Sequence, residues 1–92
     1  YGERDHLMSL IFAVEEAIRR VMDPDKVNLA ALGNMVPHIH WHVIPRFKDD
    51  AFYPGSAWSA RTQETSKSHL ESRRALAKQL PIAIKEAISQ LY

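Results

Sequence analysis

Three histidines of this chain stand at alternate positions, and that spacing limits the chemistry they can perform. They are His38, His40 and His42, in a segment bounded by Pro37 and Pro45. Side chains alternate between the two faces of a strand, so on a strand the three imidazoles would share one face. On a helix they would be scattered around the axis. The bracketing prolines suit the ends of a strand better than a helix interior.

A row of imidazoles allows two kinds of chemistry. It can supply a nucleophile and flanking hydrogen-bond donors to a phosphoryl group. It can also bind a metal, because neutral imidazoles are common ligands and a catalytic zinc takes three protein ligands. However, same-face positions on a strand lie about 6.6 to 7 Å apart, which makes it awkward for three rings to converge on one ion. The residues alone therefore leave two possibilities open, phosphoryl chemistry without a metal or other cofactor and a histidine metal site.

The hydrophobic pattern predicts the elements that position this strand. Apolar residues at helical spacing predict a helix over residues 5–22, which the Asp-Pro-Asp segment at 23–25 ends. A short apolar run then leads through Gly33 and Asn34 into the histidine strand. This arrangement predicts a β-hairpin over residues 26–47.

The remaining sequence predicts a loop followed by a helix. Residues 48–67 are polar and contain a Pro-Gly pair, which is typical of a loop. Ser68 and Glu71 have capping-box spacing, so we predict a helix over 68–91, kinked or split at Pro81. The loop aromatics could stack on a base, but we favour packing over the sheet or a dimer edge. These aromatics are Phe52, Tyr53 and Trp58.

Composition excludes several classes of protein. The 92 residues suffice for one small domain, residues 1–92. With 12 basic and 11 acidic residues, the net charge of +1 is not typical of a protein that binds nucleic acid or a membrane surface. There is no cysteine and no apolar run of membrane-spanning length. We therefore expect a cytoplasmic protein that binds neither nucleic acid nor membrane.

A single hairpin is a weak structural unit, because two strands alone are marginally stable in water and expose unpaired backbone groups at both edges. We therefore expect the domain to be incomplete on its N-terminal side, or a partner chain to supply the missing pairing.

The motif His38 to Ile44, HIHWHVI, resembles the signature of the histidine triad (HIT) superfamily, and the wider segment ALGNMVPHIHWHVIPRF is similar to its bacterial hydrolase branch. The resemblance implies an α+β fold in which helices pack on an antiparallel sheet, commonly in a homodimer. This chain would carry the central helix, the last two strands and a C-terminal helix, and would lack the earlier strands.

The resemblance also implies roles for the three histidines. His40 would attack the α-phosphorus of a purine nucleotide and form a nucleotidyl-histidine intermediate, which water then hydrolyses. His42 would contact the phosphate, and His38 would support the array. The implied function is a nucleotide hydrolase or transferase of the phosphoramidase or pyrophosphohydrolase type, which cleaves a P–N or P–O bond. A non-catalytic nucleotide-binding protein of the same fold is the alternative.

Positions outside the triad complete the implied site. Gly33 and Asn34 would present backbone N–H groups to phosphate oxygens, and Asn28 would reach the ribose or phosphate. One residue departs from the family pattern: Met35 stands where many members have Ser or Thr, and a thioether cannot donate a hydrogen bond to phosphate.

Overall fold

The computed structural model describes residues 2–31 and 41–91. Its elements are, in chain order, helix α1 (Gly2–Met22), strand β1 (Lys26–Ala31), strand β2 (Trp41–Arg46), helix α2 (Lys67–Ala77) and helix α3 (Leu80–Ser89). The two strands form an antiparallel sheet within the described residues. The fold is therefore α+β, and the predicted fold class is confirmed.

Helix α1 supplies most of the buried apolar surface of the described structure, because its apolar residues recur at helical spacing. It begins at Gly2, three residues before the predicted start, with Glu3 and Asp5 in its first turn, where negative charge suits the positive end of the helix dipole. Asp23, just beyond its last residue, adopts a positive φ of 46° and donates its backbone N–H to the Arg19 carbonyl at 3.1 Å. The buried residues are Ile11, Ala13, Ala17, Ile18 and Met22.

The hairpin register decides which side chains share a face of the sheet. Ala30 pairs with His42, Asn28 with Ile44 and Lys26 with Arg46. Residues directly opposite each other in an antiparallel pair point to the same side. All six side chains therefore belong to one face. The connection between the strands, residues 32–40, lies outside the described residues.

The two faces differ less in burial than the alternating pattern predicts. Trp41 and Val43, expected on an apolar face, are half-buried, and Leu29 opposite Val43 is 37% exposed. The buried residue of β1 and β2 is Arg46, which lies on the same face as His42. A guanidinium can be buried there because its hydrogen-bonding groups meet protein acceptors, as described below.

The C-terminal segment, predicted as a helix over 68–91 that is kinked or split at Pro81, forms two helices separated at Lys78 and Gln79. Pro81 lies in the first turn of α3, where a missing backbone N–H breaks no intrahelical hydrogen bond. Helix α2 begins before the predicted cap: the Ser66 hydroxyl accepts from the backbone N–H of His69 at 3.3 Å. Ser66 therefore caps this helix in place of the predicted Ser68.

Helix α3 packs along α1, and helix α2 also contacts α1. Large apolar side chains remain exposed on α1 and α3 and just beyond α3: Phe12 is 53% exposed, Ile82 66% and Leu91 43%. Within residues 2–31 and 41–91, no helix combines the length and the apolar character needed to cross a membrane.

The loop between β2 and α2 is closed by its own side chains. The Gln63 side-chain amide donates to the carbonyls of Lys48 at 2.9 Å and Asp50 at 2.7 Å. The Thr65 hydroxyl donates to the Asp49 carbonyl at 2.7 Å. These bonds hold the loop over the end of β2, and so beside the sheet face that carries His42.

Candidate active site

His42 is the triad histidine that the structure describes. It lies on β2 opposite Ala30, and its side chain is exposed. The other predicted site residues of the hairpin connection lie outside the described residues, and their roles stay predictions. They are Gly33, Asn34, His38 and His40, together with the departure at Met35.

The imidazole of His42 contacts the indole of Trp58 from the loop. The ring centroids are 5.4 Å apart and the ring planes meet at 82°, an edge-to-face arrangement that aromatic rings favour. Trp58 nevertheless remains 54% exposed. Its ring therefore packs over the sheet, as we favoured from the sequence, and still offers surface for a flat ligand group.

Asn28, predicted to reach ribose or phosphate, is half-buried on β1 and shares the face of His42. Its carboxamide oxygen Oδ1 accepts a hydrogen bond from Nη1 of Arg46 at 2.6 Å. The residue predicted to contact the ligand is therefore hydrogen-bonded to the last residue of the neighbouring strand.

Arg46 also forms a two-pronged ion pair with Asp50. Its Nε donates to Oδ2 at 2.8 Å and its Nη2 donates to Oδ1 at 3.0 Å. Paired N–H···O bonds of this kind are strong and geometrically specific. Because Arg46 is only 2% exposed, the pair lies in an environment where solvent screens it weakly.

Asp50 organises the start of the loop through its carboxylate. It accepts from the backbone N–H groups of Phe47 at 3.0 Å, Phe52 at 3.1 Å and Tyr53 at 2.7 Å. The hydrogen bond from Arg46, with the backbone donors, holds the pKa of Asp50 well below its ordinary value, although partial burial opposes this. The same hydrogen bond raises the pKa of Arg46. Both groups are therefore charged at neutral pH.

The Arg46–Asp50 pair is a part of the site that the sequence interpretation missed. From the sequence we assigned roles in the loop of residues 48–67 to its aromatics alone, and did not consider Arg46 or Asp50. A usable signal was present: an arginine at the end of a strand, followed four residues later by an aspartate across a turn. No sequence pattern indicates the hydrogen bond between Arg46 and Asn28, because that bond depends on the register of the two strands.

An open cleft of about 360 Å³ runs along β1 on this face. Its walls include Asn28 and Ala30 on one side and Trp58 on the other, with Arg46 also lining it. At one end the Lys26 ammonium lies 4.8 Å from the centroid of the Tyr53 ring, a cation–π distance. An ammonium, a carboxamide and an exposed indole suit a ligand that combines an anionic group with a flat ring.

A second polar cluster joins the loop to α2. Asp49 Oδ1 accepts from Nη2 of Arg73 at 2.7 Å, and its Oδ2 lies 2.7 Å from Nδ1 of His69. The hydrogen bonds from Arg73 and His69 lower the pKa of Asp49. The Arg73 guanidinium also stacks 3.8 Å from the centroid of the Phe47 ring. This cluster attaches α2 to the loop that carries Trp58.

In the part of the chain that the structure describes, no group of three or more His, Cys, Asp or Glu side chains is arranged to hold a metal ion. Of the triad, only His42 falls in that part. An experiment with a chelator is therefore needed to test whether the complete triad binds a metal.

This fold is found in known proteins. The family model of the HIT domain matches residues 2–49. A histidine triad protein from Bradyrhizobium japonicum is similar in structure, with 30% identity and a TM-score of 0.65. A histidine triad protein from Marinobacter aquaeolei VT8 is similar, with 30% identity and a TM-score of 0.64. No curated protein matches the chain.

The matched residues 2–49 make up more than half of the 92 residues, and the chain belongs to the HIT domain family. The family predicted from the triad is confirmed. The two structural alignments cover 96% and 99% of this chain, but 61% of the Bradyrhizobium protein and 62% of the Marinobacter protein. The chain thus spans about three-fifths of the length of these relatives.

Proposed function

We propose that this chain carries the catalytic histidines of a nucleotide hydrolase or transferase that cleaves a P–N or P–O bond at the α-phosphate of a purine nucleotide. The observation that carries the proposal is the alternating triad in a member of the HIT family. Support comes from the described residues, because His42 shares one sheet face with Asn28 and lies beside an open cleft.

In the first proposed step, a neutral ring nitrogen of His40 attacks the α-phosphorus. A bond forms between that nitrogen and phosphorus as the bond to the leaving group breaks, and a flanking imidazolium, of His38 or His42, gives the leaving group its proton. A hydrogen bond from the second ring N–H to a backbone carbonyl would select the reactive tautomer. His42 contacts a phosphate oxygen, and His38 supports the array.

In the second proposed step, water attacks the same phosphorus. The P–N bond to His40 breaks and returns its electron pair to the imidazole, which is neutral again as the nucleoside monophosphate leaves. The proton lost by the water restores the flanking imidazolium. An alcohol or amine in place of water would make the protein a transferase. No metal or cofactor takes part in either step.

Two alternatives have specific observations in their favour. Met35 removes a hydroxyl donor that many family members have, which favours a nucleotide-binding protein with little or no turnover. Three histidines on one strand favour a metal site, although ring convergence is awkward. Both alternatives are separated from the main proposal by one experiment.

That experiment traps the intermediate. The chain is incubated with adenosine 5′-phosphoramidate in the presence of EDTA and quenched at alkaline pH, because the P–N bond of phosphohistidine is acid labile. Intact-mass and peptide analysis should find an adenylyl group on His40. The His40→Asn variant should form no adduct, and the exposed-histidine control His69→Asn should form it normally.

Other outcomes of the trapping experiment decide against the proposal. Adenosine monophosphate binding without any adduct would favour the non-catalytic alternative. Activity that EDTA removes and zinc restores would favour the metal site. An adduct on a different residue would move the nucleophile away from His40.

We propose a second copy of the chain as its protein partner. The exposed apolar side chains on α1 and α3, including Phe12 and Ile82, support this, as does the lack of a second strand neighbour for β1 within the described residues. Sedimentation velocity should find a dimer at micromolar concentration, and a monomer over that range would contradict it. A cytoplasmic location belongs to the same proposal, and cell fractionation would check it.

A further inference from the structure

Arg46 is the buried charged residue of the candidate site, and each nitrogen of its guanidinium donates to the protein. Nε and Nη2 donate to Asp50, and Nη1 donates to Asn28. With 2% of its surface exposed, the guanidinium has almost no surface to present to a ligand. Arg46 therefore acts on a ligand through the residues that it holds, and Asn28 is the one of these that lines the cleft.

The contact with Arg46 determines which way the Asn28 carboxamide points. A guanidinium has N–H donors and no acceptor, so only the carboxamide oxygen can face it. The orientation of the Asn28 carboxamide thus follows from the chemistry of its partner. The Nδ2 group must point away from Arg46.

Asn28 lines the cleft, and within residues 2–31 and 41–91 no hydrogen bond occupies its Nδ2 group. Asn28 shares a face with Ala30, which pairs with His42. Neighbouring same-face positions on a strand lie about 6.6 to 7 Å apart. A phosphoryl group beside His42 is thus within reach of a donor on Asn28.

We propose that Arg46 is a positioning residue, which holds the Asn28 carboxamide so that its two Nδ2 donors face the phosphate or ribose oxygens of the bound nucleotide. This inference rests on the proposed function, since it assigns a second layer of the same site. Asp50 keeps the guanidinium in place by its two-pronged contact. Lysine cannot replace Arg46 in this role, because an ammonium lacks the planar fork that reaches Asp50 and Asn28 together.

The test uses a variant that keeps the contact with Arg46 and removes the donor. Asn28→Asp retains an oxygen for Nη1 of Arg46 but replaces the Nδ2 donors with a second acceptor that repels phosphate. We expect KM for the nucleotide to rise at least about tenfold, because a hydrogen bond to a charged group is lost. We expect kcat to change much less, and the melting temperature not to fall.

Two further variants separate positioning from general stability. Arg46→Lys should raise KM several-fold and move the NMR signals of the Asn28 side-chain amide toward those of a freely rotating carboxamide. Arg19→Lys makes the same chemical change in the exposed ion pair with Glu15 on α1. It should leave KM and the Asn28 signals unchanged. If Arg46→Lys does not fold, Asn28→Asp still decides the question.

Different results would overturn the positioning role of Arg46 and the proposed function. KM within twofold of wild type in Asn28→Asp would overturn the positioning role, and so would Asn28 amide signals that do not respond to Arg46→Lys. Absence of turnover in the wild-type chain would count against the proposed function alone. In that case the Kd for adenosine monophosphate replaces KM as the readout, with the same expected rise for Asn28→Asp.

Discussion

Replacing His40 with asparagine should lower turnover of an adenosine phosphoramidate by several orders of magnitude. Asparagine has a carboxamide of similar polarity but no ring nitrogen that can form a covalent bond to phosphorus, so covalent catalysis is lost. The remaining contacts to the nucleotide persist, and binding of adenosine monophosphate should stay within about threefold of wild type. Steady-state kinetics and calorimetry measure the two quantities separately.

His42→Asn is the matched comparison for this result. His42 lies on β2, and we assign it to phosphate contact rather than to attack. We expect its replacement to weaken binding and to slow turnover less than replacement of His40. Turnover close to wild type in His40→Asn would refute the nucleophile assignment, whatever the behaviour of His42→Asn.

Asp50→Asn should cause the largest loss of stability of any single change in the described site. The variant leaves the Arg46 side chain, 3% exposed, without its countercharge, and replaces a carboxylate that accepts from three backbone N–H groups. Breaking a buried ion pair from one side costs about 3 to 5 kcal/mol, and the partial exposure of Asp50 reduces this to about 3 kcal/mol. Urea unfolding at neutral pH measures the change in the free energy of unfolding.

The control for Asp50→Asn is Glu15→Gln, which removes the exposed ion pair to Arg19. Because surface pairs contribute little, its unfolding free energy should change by less than about 1 kcal/mol. A loss from Asp50→Asn no larger than that of the control would show that the Arg46–Asp50 pair does not stabilise the loop.

The same pair predicts how stability depends on pH. The pKa of Asp50 is held below its ordinary value of 3.8 in the folded protein, first by the hydrogen bond from Arg46. As the pH falls, Asp50 is therefore protonated in the unfolded state before it is protonated in the folded state. The stabilisation is present above about pH 4 and decreases below it. Asp49, whose pKa is also lowered, contributes with the same sign.

Unfolding at pH values from 6 down to the acid limit of the folded state tests this dependence. Asp50→Asn should lose stability less steeply below about pH 4 than the wild-type chain, because one of the titrating carboxylates is gone. Equal acid slopes in the two proteins would contradict the assignment.

Much of the fold could be predicted because its signals are local. The apolar spacing in the first helix and the alternation in the histidine segment each lie within a single element, so composition and period suffice to recognise them. Boundaries were less accurate. Helix α1 starts at Gly2 and α2 is capped by Ser66, because acidic residues in a first turn and a reachable cap stabilise helix ends beyond the apolar pattern.

The sequence by itself determined the family, since one short motif with His38, His40 and His42 carries it. The chemistry of the triad stays a prediction from a spacing that would place the three on one face of a strand. Only the tertiary structure decided what surrounds His42. Arg46 and Asn28 are separated by 18 residues, and they meet because the strand register brings them to one face. Trp58 reaches His42 because Asp50 gathers the loop around Arg46. Contacts of this kind depend on register and loop closure, which no local pattern specifies.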